Sequence, residues 1–378
     1  MNFTVSKSKL YEALVNVSHA ISSSNPVPAL KGVKLVVSKE NGLTLTGSDN
    51  DITIMINLSN EKDKDLRLNV ISDGGVVIDS KYILDIVHKI DSDTVNVEII
   101  DGALTMFKGE NAQYRINGIR LEEYPTIDLS RPSTVIRCDC RTLTEAIEQT
   151  VFAASDKDTK PVLKGLNIVL KDHTLTCVAT DSYRLAKKTI PFENDASFSI
   201  TVPSKSMNEA KSILLSNTDV VSIAVNDKKI QFFTDSTILQ SRLLEGGFPD
   251  TERLIPSNFN YTLKLSRSSL INVLDRSMFI KNDNMVINRL QCSSDDVILS
   301  NRSQEIGDFQ QSLLNEGAMF NGNPLDISFC ASYVLQAAKA LKGKTIEMRF
   351  VGDMKPFIMT DPDDDSILQL ALPIRTYN

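Results

Sequence analysis

Few residues in this 378-residue chain have the types and spacing that chemistry requires. The three histidines, His19, His88 and His173, stand far apart, so spacing suggests neither a metal-ligand set nor a nucleophile paired with a base. The run Asp361-Pro362-Asp363-Asp364-Asp365 offers carboxylates to a hard cation such as Mg²⁺. With a proline inside it, between Ile358-Met359 and Ile367-Leu368, it reads better as the solvated loop of a hairpin. Cys138-x-Cys140 is the one close pair among five cysteines, and strand alternation would put both on one face. The odd count and the scatter (138, 140, 177, 292 and 330) favour structural thiols in a reducing cytoplasm, with a metal pair as the alternative. No Gly-rich phosphate or dinucleotide loop is present, and Gly246-Gly247 reads as a turn. The chain therefore predicts no cofactor, no metal and no catalysis. It reads as a binding or scaffold protein.

The elements around these residues repeat. Residues 27–58 recur as residues 160–192, each opening on Pro-x-Leu-Lys-Gly (Pro28 to Gly32, Pro161 to Gly165) and running into two alternating strands. The second strand ends in Gly47-Ser48-Asp49 or Ala179-Thr180-Asp181, and a fainter third copy spans 286–290 and 297–300. A period near 130 residues suits a whole domain rather than a solenoid unit. An amphipathic helix precedes each copy, with Leu10, Leu14 and Val17 on one face of 6–20. Leu143, Ile147 and Val151 line 141–154, and Leu270, Leu274 and Met278 line 266–280. Second helices are predicted over 80–90, 204–216 and 331–341, followed by further alternating strands. The reading is an α+β protein of three similar domains, 1–129, 130–256 and 257–378, each with two helices on antiparallel sheets.

The start, Met1 to Lys7, lacks a basic segment followed by an apolar one, and no run approaches 18 apolar residues. That predicts a cytoplasmic protein with no membrane partner. Net charge is −7, which taken alone argues against a polyanionic partner. Counted over 6–20, 80–90, 141–154, 204–216, 266–281 and 331–344, the six helix segments nevertheless carry +7 together, leaving −14 on everything else. Helices facing a polyanion would produce that split, and so would the ordinary preference of Lys and Arg for helix surfaces.

Three separated segments carry a resemblance. They are Ala179-Thr180-Asp181-Ser182-Tyr183-Arg184-Leu185-Ala186, Leu244 to Pro256 (with Gly246-Gly247-Phe248-Pro249-Asp250), and Leu370-Ala371-Leu372-Pro373-Ile374-Arg375-Thr376-Tyr377. Together with the triple repeat, they resemble the bacterial DNA polymerase III β subunit family, the sliding clamps, from Met1 to Asn378. The resemblance implies a ring-forming homodimer of six similar domains, with helices lining the hole and sheets outside. It implies a non-catalytic processivity factor that encircles double-stranded DNA without reading sequence. Implied partners are the DNA polymerase III α subunit, the clamp loader and other proteins with clamp-binding motifs. A divergent paralogue serving a plasmid, phage or repair polymerase is the alternative.

By resemblance, a groove for short linear peptides is formed by Leu163, Thr180, Ser182, Tyr183, Arg184, Leu185, Pro249, Arg253, Leu254, Leu370, Leu372, Pro373, Ile374 and Arg375. Apolar walls rimmed by arginines suit an extended peptide with hydrophobic anchors and a carboxylate; packing of a domain junction is the other use for such Leu and Pro. Lys81, Lys205 and Tyr333, at equivalent starts of the second helices, are the implied DNA-facing residues. The implied dimer contact joins an edge strand at 103–109, with Met106 and Phe107, to Phe279 and Ile280 of a second copy. Tyr183 stands where the family often has His, and Cys330 where it tends to have Asn. The loop Ser22-Ser23-Ser24-Asn25-Pro26 lacks the arginine the family usually carries there.

Overall fold

The same order of strands and helices runs three times along the chain. The computed structural model describes residues 1–215, 219–281 and 285–375. The predicted helix end at Ser216 and the motif residues Thr376 and Tyr377 lie outside them. The first domain runs β1 (Asn2–Ser6), α1 (Lys7–Ser18), β2 (Gly32–Ser38), β3 (Gly42–Ser48), β4 (Ile52–Leu58), β5 (Asn69–Ser72), β6 (Gly74–Asp79), α2 (Ser80–Lys89), β7 (Thr94–Asp101), β8 (Leu104–Lys108) and β9 (Gln113–Asn117). The second runs β10 (Thr134–Asp139), α3 (Cys140–Thr150), β11 (Gly165–Lys171), β12 (Thr174–Thr180), β13 (Arg184–Pro191), β14 (Phe198–Pro203), α4 (Ser204–Leu215), β15 (Val220–Val225), β16 (Lys229–Phe233) and β17 (Thr237–Arg242). The third runs β18 (Tyr261–Ser266), α5 (Arg267–Ser277), β19 (Ile287–Cys292), β20 (Val297–Ser303), β21 (Gly307–Ser312), β22 (Met319–Asn321), β23 (Leu325–Cys330), α6 (Ala331–Ala340), β24 (Thr345–Phe350), β25 (Phe357–Asp361) and β26 (Asp364–Ala371).

The second repeat makes two four-stranded blocks, the first and third each make one of four strands and one of five, and blocks of neighbouring repeats fuse. Strand orders are β5-β1-β7-β8-β9, β10-β15-β16-β17-β4-β3-β2-β6, β14-β11-β12-β13-β26-β25-β24-β18-β22 and β21-β20-β19-β23. The fusions are antiparallel, with Gln240 opposite Thr53 where β17 meets β4 and Leu370 opposite Leu185 where β26 meets β13. The chain packs as two compact units, Met1–Arg141 with Glu209–Leu243, and Thr142–Asn208 with Leu244–Asn378. The second repeat is therefore shared out between units, because its two sheet blocks are claimed by different neighbours.

Local chemistry explains the elements. α1 buries Leu10, Ala13, Leu14 and Val17, the predicted stripe with one addition, against β2, β3 and β4. α5 buries Leu270, Val273 and Leu274 in a third-domain core built around Phe329, Phe350 and Phe357, all 0–1% exposed. Predicted Met278 packs against that core, only partly buried. Asp79 caps α2 by accepting from the Lys81 amide. The glycine closing each Pro-x-Leu-Lys-Gly is there for close approach. A Cβ on Gly32 would sit 2.9 Å from the Ile78 carbonyl oxygen, and one on Gly165 would sit 2.5 Å from that of Val202.

Three expectations need correction. Cys138 and Cys140 do not share a strand face, because β10 ends at Asp139 and Cys140 opens α3. All five cysteines are buried and none forms a disulfide, and burial pushes the Cys138 thiol up to about 11 and Cys292 to about 12. The acidic run is a hairpin between β25 and β26, yet it is not wholly solvated: Asp361 is 7% exposed, and Asp364 takes an ion pair from Lys188 at 3.0 Å. Finally, β8 is not an edge, since β9 covers it on the far side from β7. Among the described residues, no group of three His, Cys, Asp or Glu side chains is arranged to hold a metal ion. None of their helices is long and apolar enough to cross a membrane.

Candidate functional site

The turn between β12 and β13 is fixed before any side chain reaches outward. Asp181 Oδ1 accepts from the amides of Tyr183 (2.8 Å) and Arg184 (3.0 Å). Thr180 Oγ1 donates to the Arg184 carbonyl at 2.6 Å and accepts from the Ser182 amide. Ser182 is thereby held at φ +78°, a left-handed conformation unusual for serine. The turn presents Tyr183, 54% exposed, while its carbonyl accepts from the Leu372 amide at 2.9 Å and ties the chain end to the turn.

Beneath and beside this turn lies an apolar bed. Val178, Leu185, Ile358 and Leu370 are its buried floor, with Phe248, Ile255, Phe259, Leu368 and Leu372 packed against them. Strand pairing builds it, because Leu185, Leu370 and Ile358 stand opposite one another across β13, β26 and β25. Pro249 and Leu254 continue it at the surface, Leu254 being 51% exposed. Pro373 bridges to Phe329, and the Ile374 amide donates to the Ser328 carbonyl at 2.7 Å. Arg375 is exposed beyond them.

Not every expected groove residue joins this surface. Leu163 is buried in the helical turn Pro161–Lys164 and lies outside the cluster. Arg184 is a strut, not a rim cation. Its Nε donates to Asp181 (3.0 Å), Nη2 to the Phe152 carbonyl (2.7 Å) and Nη1 to Gln336, and its guanidinium faces the rings of Tyr333 (4.6 Å) and Phe152 (5.6 Å). Three of its five N–H donors are used and its side chain is only 12% exposed, so little remains for a ligand carboxylate. Arg253, paired with Asp250 at 3.1 Å and 88% exposed, remains reachable. Sequence reading missed Val178, Ile358, Ile255, Phe259 and Leu368; period-2 alternation on β12, β25 and β26 is the signal that marks the strand members.

Lys81 and Lys205 are the second residues of α2 and α4, and both are exposed. Tyr333 is the third residue of α6, with Ser332 at the matching second position. It is half-buried against Arg184, and burial raises its phenol above the usual value. Several helix cations are spent inside the chain: Lys7 on the Ile90 carbonyl, Lys9 on Asp63 at 2.7 Å, and Arg267 on the carbonyls of Ala338 and Lys339. Of the expected dimer residues, Phe107 is fully buried and Ile280 is 3% exposed, so both belong to their own cores. Met106 is half-buried, and Phe279, 65% exposed, is the available one.

The sheet edges say where another strand fits. Where repeats join, the last strand of one repeat (β17, β26) docks on the third strand of the preceding repeat's four-stranded block (β4, β13); β9 and β21 hold the corresponding positions in the first and third repeats. β17 docks on β4 and β26 on β13, which leaves β9 and β21 open. On β9 half-buried Tyr114 and Ile116 alternate with exposed Gln113, Arg115 and Asn117.

A three-repeat chain of this fold is a clamp-type protein. Residues 1–128, 138–250 and 252–375 match the N-terminal, central and C-terminal domains of the DNA polymerase III beta subunit, and the chain belongs to that family. It is 33% identical over 381 residues to the beta sliding clamp of Bacillus subtilis and 32% identical over 380 residues to that of Staphylococcus aureus, with 100% of both chains covered each time. The crystal structure of the DNA polymerase sliding clamp from Bacillus subtilis superposes with a TM-score of 0.93 at 32% identity, over 100% of each chain. The Streptococcus pneumoniae DNA polymerase III beta chain gives 0.93 at 29%, over 99% of this chain and 100% of that one.

Proposed function

We propose that the chain works as a replicative sliding clamp: two copies close head to tail into a ring around duplex DNA and tether a polymerase without catalysing a reaction. The observation that carries this is the pair of unused edges. Repeat one lacks a docking edge for β9 and repeat three lacks a docking strand for β21, so a second copy satisfies both at once by the pairing already used within the chain. Three repeats per copy, as 1–129, 130–256 and 257–378, give six in the ring.

The ring holds DNA by topology, so tight phosphate pairing would hinder sliding. Lys81 and Lys205, both exposed, supply positive charge of the kind a sleeve needs. The apolar bed under Tyr183, with Leu254, Leu372 and Arg253, takes hydrophobic anchors of a linear peptide from the DNA polymerase III α subunit, the clamp loader or other clients.

Two measurements test this. Loaded on nicked circular DNA, the protein stays bound through a salt wash and leaves when the circle is cut; equal retention on linear DNA defeats the topological reading. Arg115→Pro on β9, where the N–H faces away from β8, and Phe279→Asp each shift the protein towards monomer in sedimentation at low micromolar concentration while leaving the fold intact. Both variants remaining fully dimeric would show that the edges pair otherwise. Ile280→Lys, by contrast, lowers the melting temperature, because it buries a charge in the third-domain core.

A further inference from the structure

The first domain holds a cavity that the groove and the ring do not use. It measures about 230 Å³ and is walled by Lys34 and Val36 of β2, Thr44 and Thr46 of β3, Met55 of β4, and the segment carrying Tyr124, Pro125, Ile127 and Leu129. Lys34 is half-buried, and among the described residues its ammonium has no carboxylate partner; it lies over the Tyr124 ring at 5.3 Å. Tyr124 is 6% exposed, and its hydroxyl finds no hydrogen-bond partner in the protein. A half-buried cation and a buried hydroxyl are thus both unpaired at one small, otherwise apolar site, and each such vacancy costs stability.

We propose that this cavity binds the C-terminal end of a peptide whose last residue is apolar, with its α-carboxylate on Lys34, beside the Tyr124 ring, and its side chain among Val36, Met55, Pro125 and Leu129. Size points to one residue, since ligand pockets for whole small molecules run to roughly 300–1,000 Å³. Charge points to a carboxylate, because a single lysine is a point charge and offers no bidentate fork to a phosphate. Geometry points to a chain terminus, where carboxylate and side chain hang from the same carbon. The neighbouring strands are paired on both sides, so the ligand adds no strand and relies on these side chains alone.

The test uses the intact protein and a fluorescein-labelled Gly-Gly-Ser-Gly-Leu pentapeptide, read by anisotropy. The free-acid peptide binds, its C-terminal amide binds at least about tenfold more weakly, and Lys34→Met gives a loss of similar size, roughly that of a charge-assisted hydrogen bond. Tyr124→Phe keeps the ring and leaves binding unchanged, with the melting temperature unchanged or higher, since it deletes an unsatisfied hydroxyl buried away from the ligand. Saturating amounts of an unlabelled groove peptide do not displace the probe. Equal binding of acid and amide, an unaffected Lys34→Met, or displacement by the groove peptide each overturns the assignment. So does 4-methylpentanoate binding as tightly as the pentapeptide, which gives the cavity to free small acids instead.

Discussion

The bed under the segment that follows β17 and the bed under the segment that follows β9 are the same surface built twice with opposite chemistry. Strand register makes the correspondence: Leu370 stands opposite Leu185 and Ile358, as Gln240 stands opposite Thr53 and Gln231. Tyr124-Pro125 lies across the first bed where Phe248-Pro249 lies across the second. In the first, Gln231 Nε2 donates to the carbonyls of Leu129 and Ser130 and to Gln240 Oε1, so the crossing segment is bonded down. In the second, no polar side chain replaces it; Ile358 and Leu370 meet Phe248 and Ile255 through apolar contact, and Leu254 stays exposed. Matched strand pairings thus give a junction bonded down beside a small cavity and an exposed apolar bed. Two glutamines against an isoleucine and a leucine make the difference.

The turns flanking the two beds repeat the contrast. Asp49 holds the amides of Asp51 and Ile52 as Asp181 holds those of Tyr183 and Arg184. Ser48 donates to the Ile52 carbonyl as Thr180 does to that of Arg184. The residue leaving the turn differs: Ile52 is simply buried, whereas Arg184 is strung between Asp181, Phe152, Gln336 and Tyr333. Exchanging Arg184→Ile, the counterpart residue, strands Asp181 and the Phe152 carbonyl. It is expected to lower unfolding free energy by about 3 kcal/mol in urea melts. Arg253→Ala, at the exposed rim, should stay within about 0.5 kcal/mol. A small loss at Arg184 would show that the strut carries little.

Moving the first bed's chemistry into the second is the next largest step. Leu370→Gln places an amide among apolar partners, and client-peptide affinity should fall at least tenfold by isothermal titration, about 1.4 kcal/mol. Unchanged affinity would remove the floor of the bed from the peptide site. The reverse exchange, Gln231→Ile, leaves the Leu129 and Ser130 carbonyls short of a donor. It should cost about 1–2 kcal/mol in a thermal melt and create no second groove for client peptides, since Thr46, Thr53 and Gln240 remain. A variant as stable as the parent would mean that the polar junction is not held by Gln231.

Legibility in the sequence tracks the range of each signal. The repeats, the helix stripes at Leu10/Leu14/Val17 and Leu270/Leu274, and the hairpin at Asp361–Asp364 are local patterns, and they are readable from spacing. The turn motif around Tyr183 is readable because it is contiguous. Arg184 is mistaken for a rim residue because its partners, Phe152, Gln336 and Tyr333, are tens to more than a hundred positions away. The open edge is placed one strand early for a related reason. β8 and β9 are equally alternating in sequence, and only pairing order reveals which is covered. Phe107 and Ile280 are buried within their own chain, and in sequence a large apolar side chain reads the same whether it serves its own core or a partner's.

The smallest effect separates the two turns themselves. Asn50 at φ +83° and Ser182 at φ +78° occupy the same left-handed position. Asparagine visits that region readily because its short amide can bond locally, whereas serine gains less and bears more of the steric penalty, which is about 1–2 kcal/mol for an ordinary residue. Glycine has no such penalty but loses about 0.4–1 kcal/mol through the greater freedom of the unfolded chain. The two terms nearly cancel at Asn50, where Asn50→Gly should be neutral or slightly destabilising. At Ser182 the relieved strain should outweigh the entropy, so Ser182→Gly should be neutral to stabilising, with about 1 kcal/mol separating the two substitutions in paired urea melts. Equal effects at both sites would mean that the Thr180 and Asp181 hydrogen bonds already hold the serine without strain. The peptide turn would then be no more preorganised than its counterpart at Asp49.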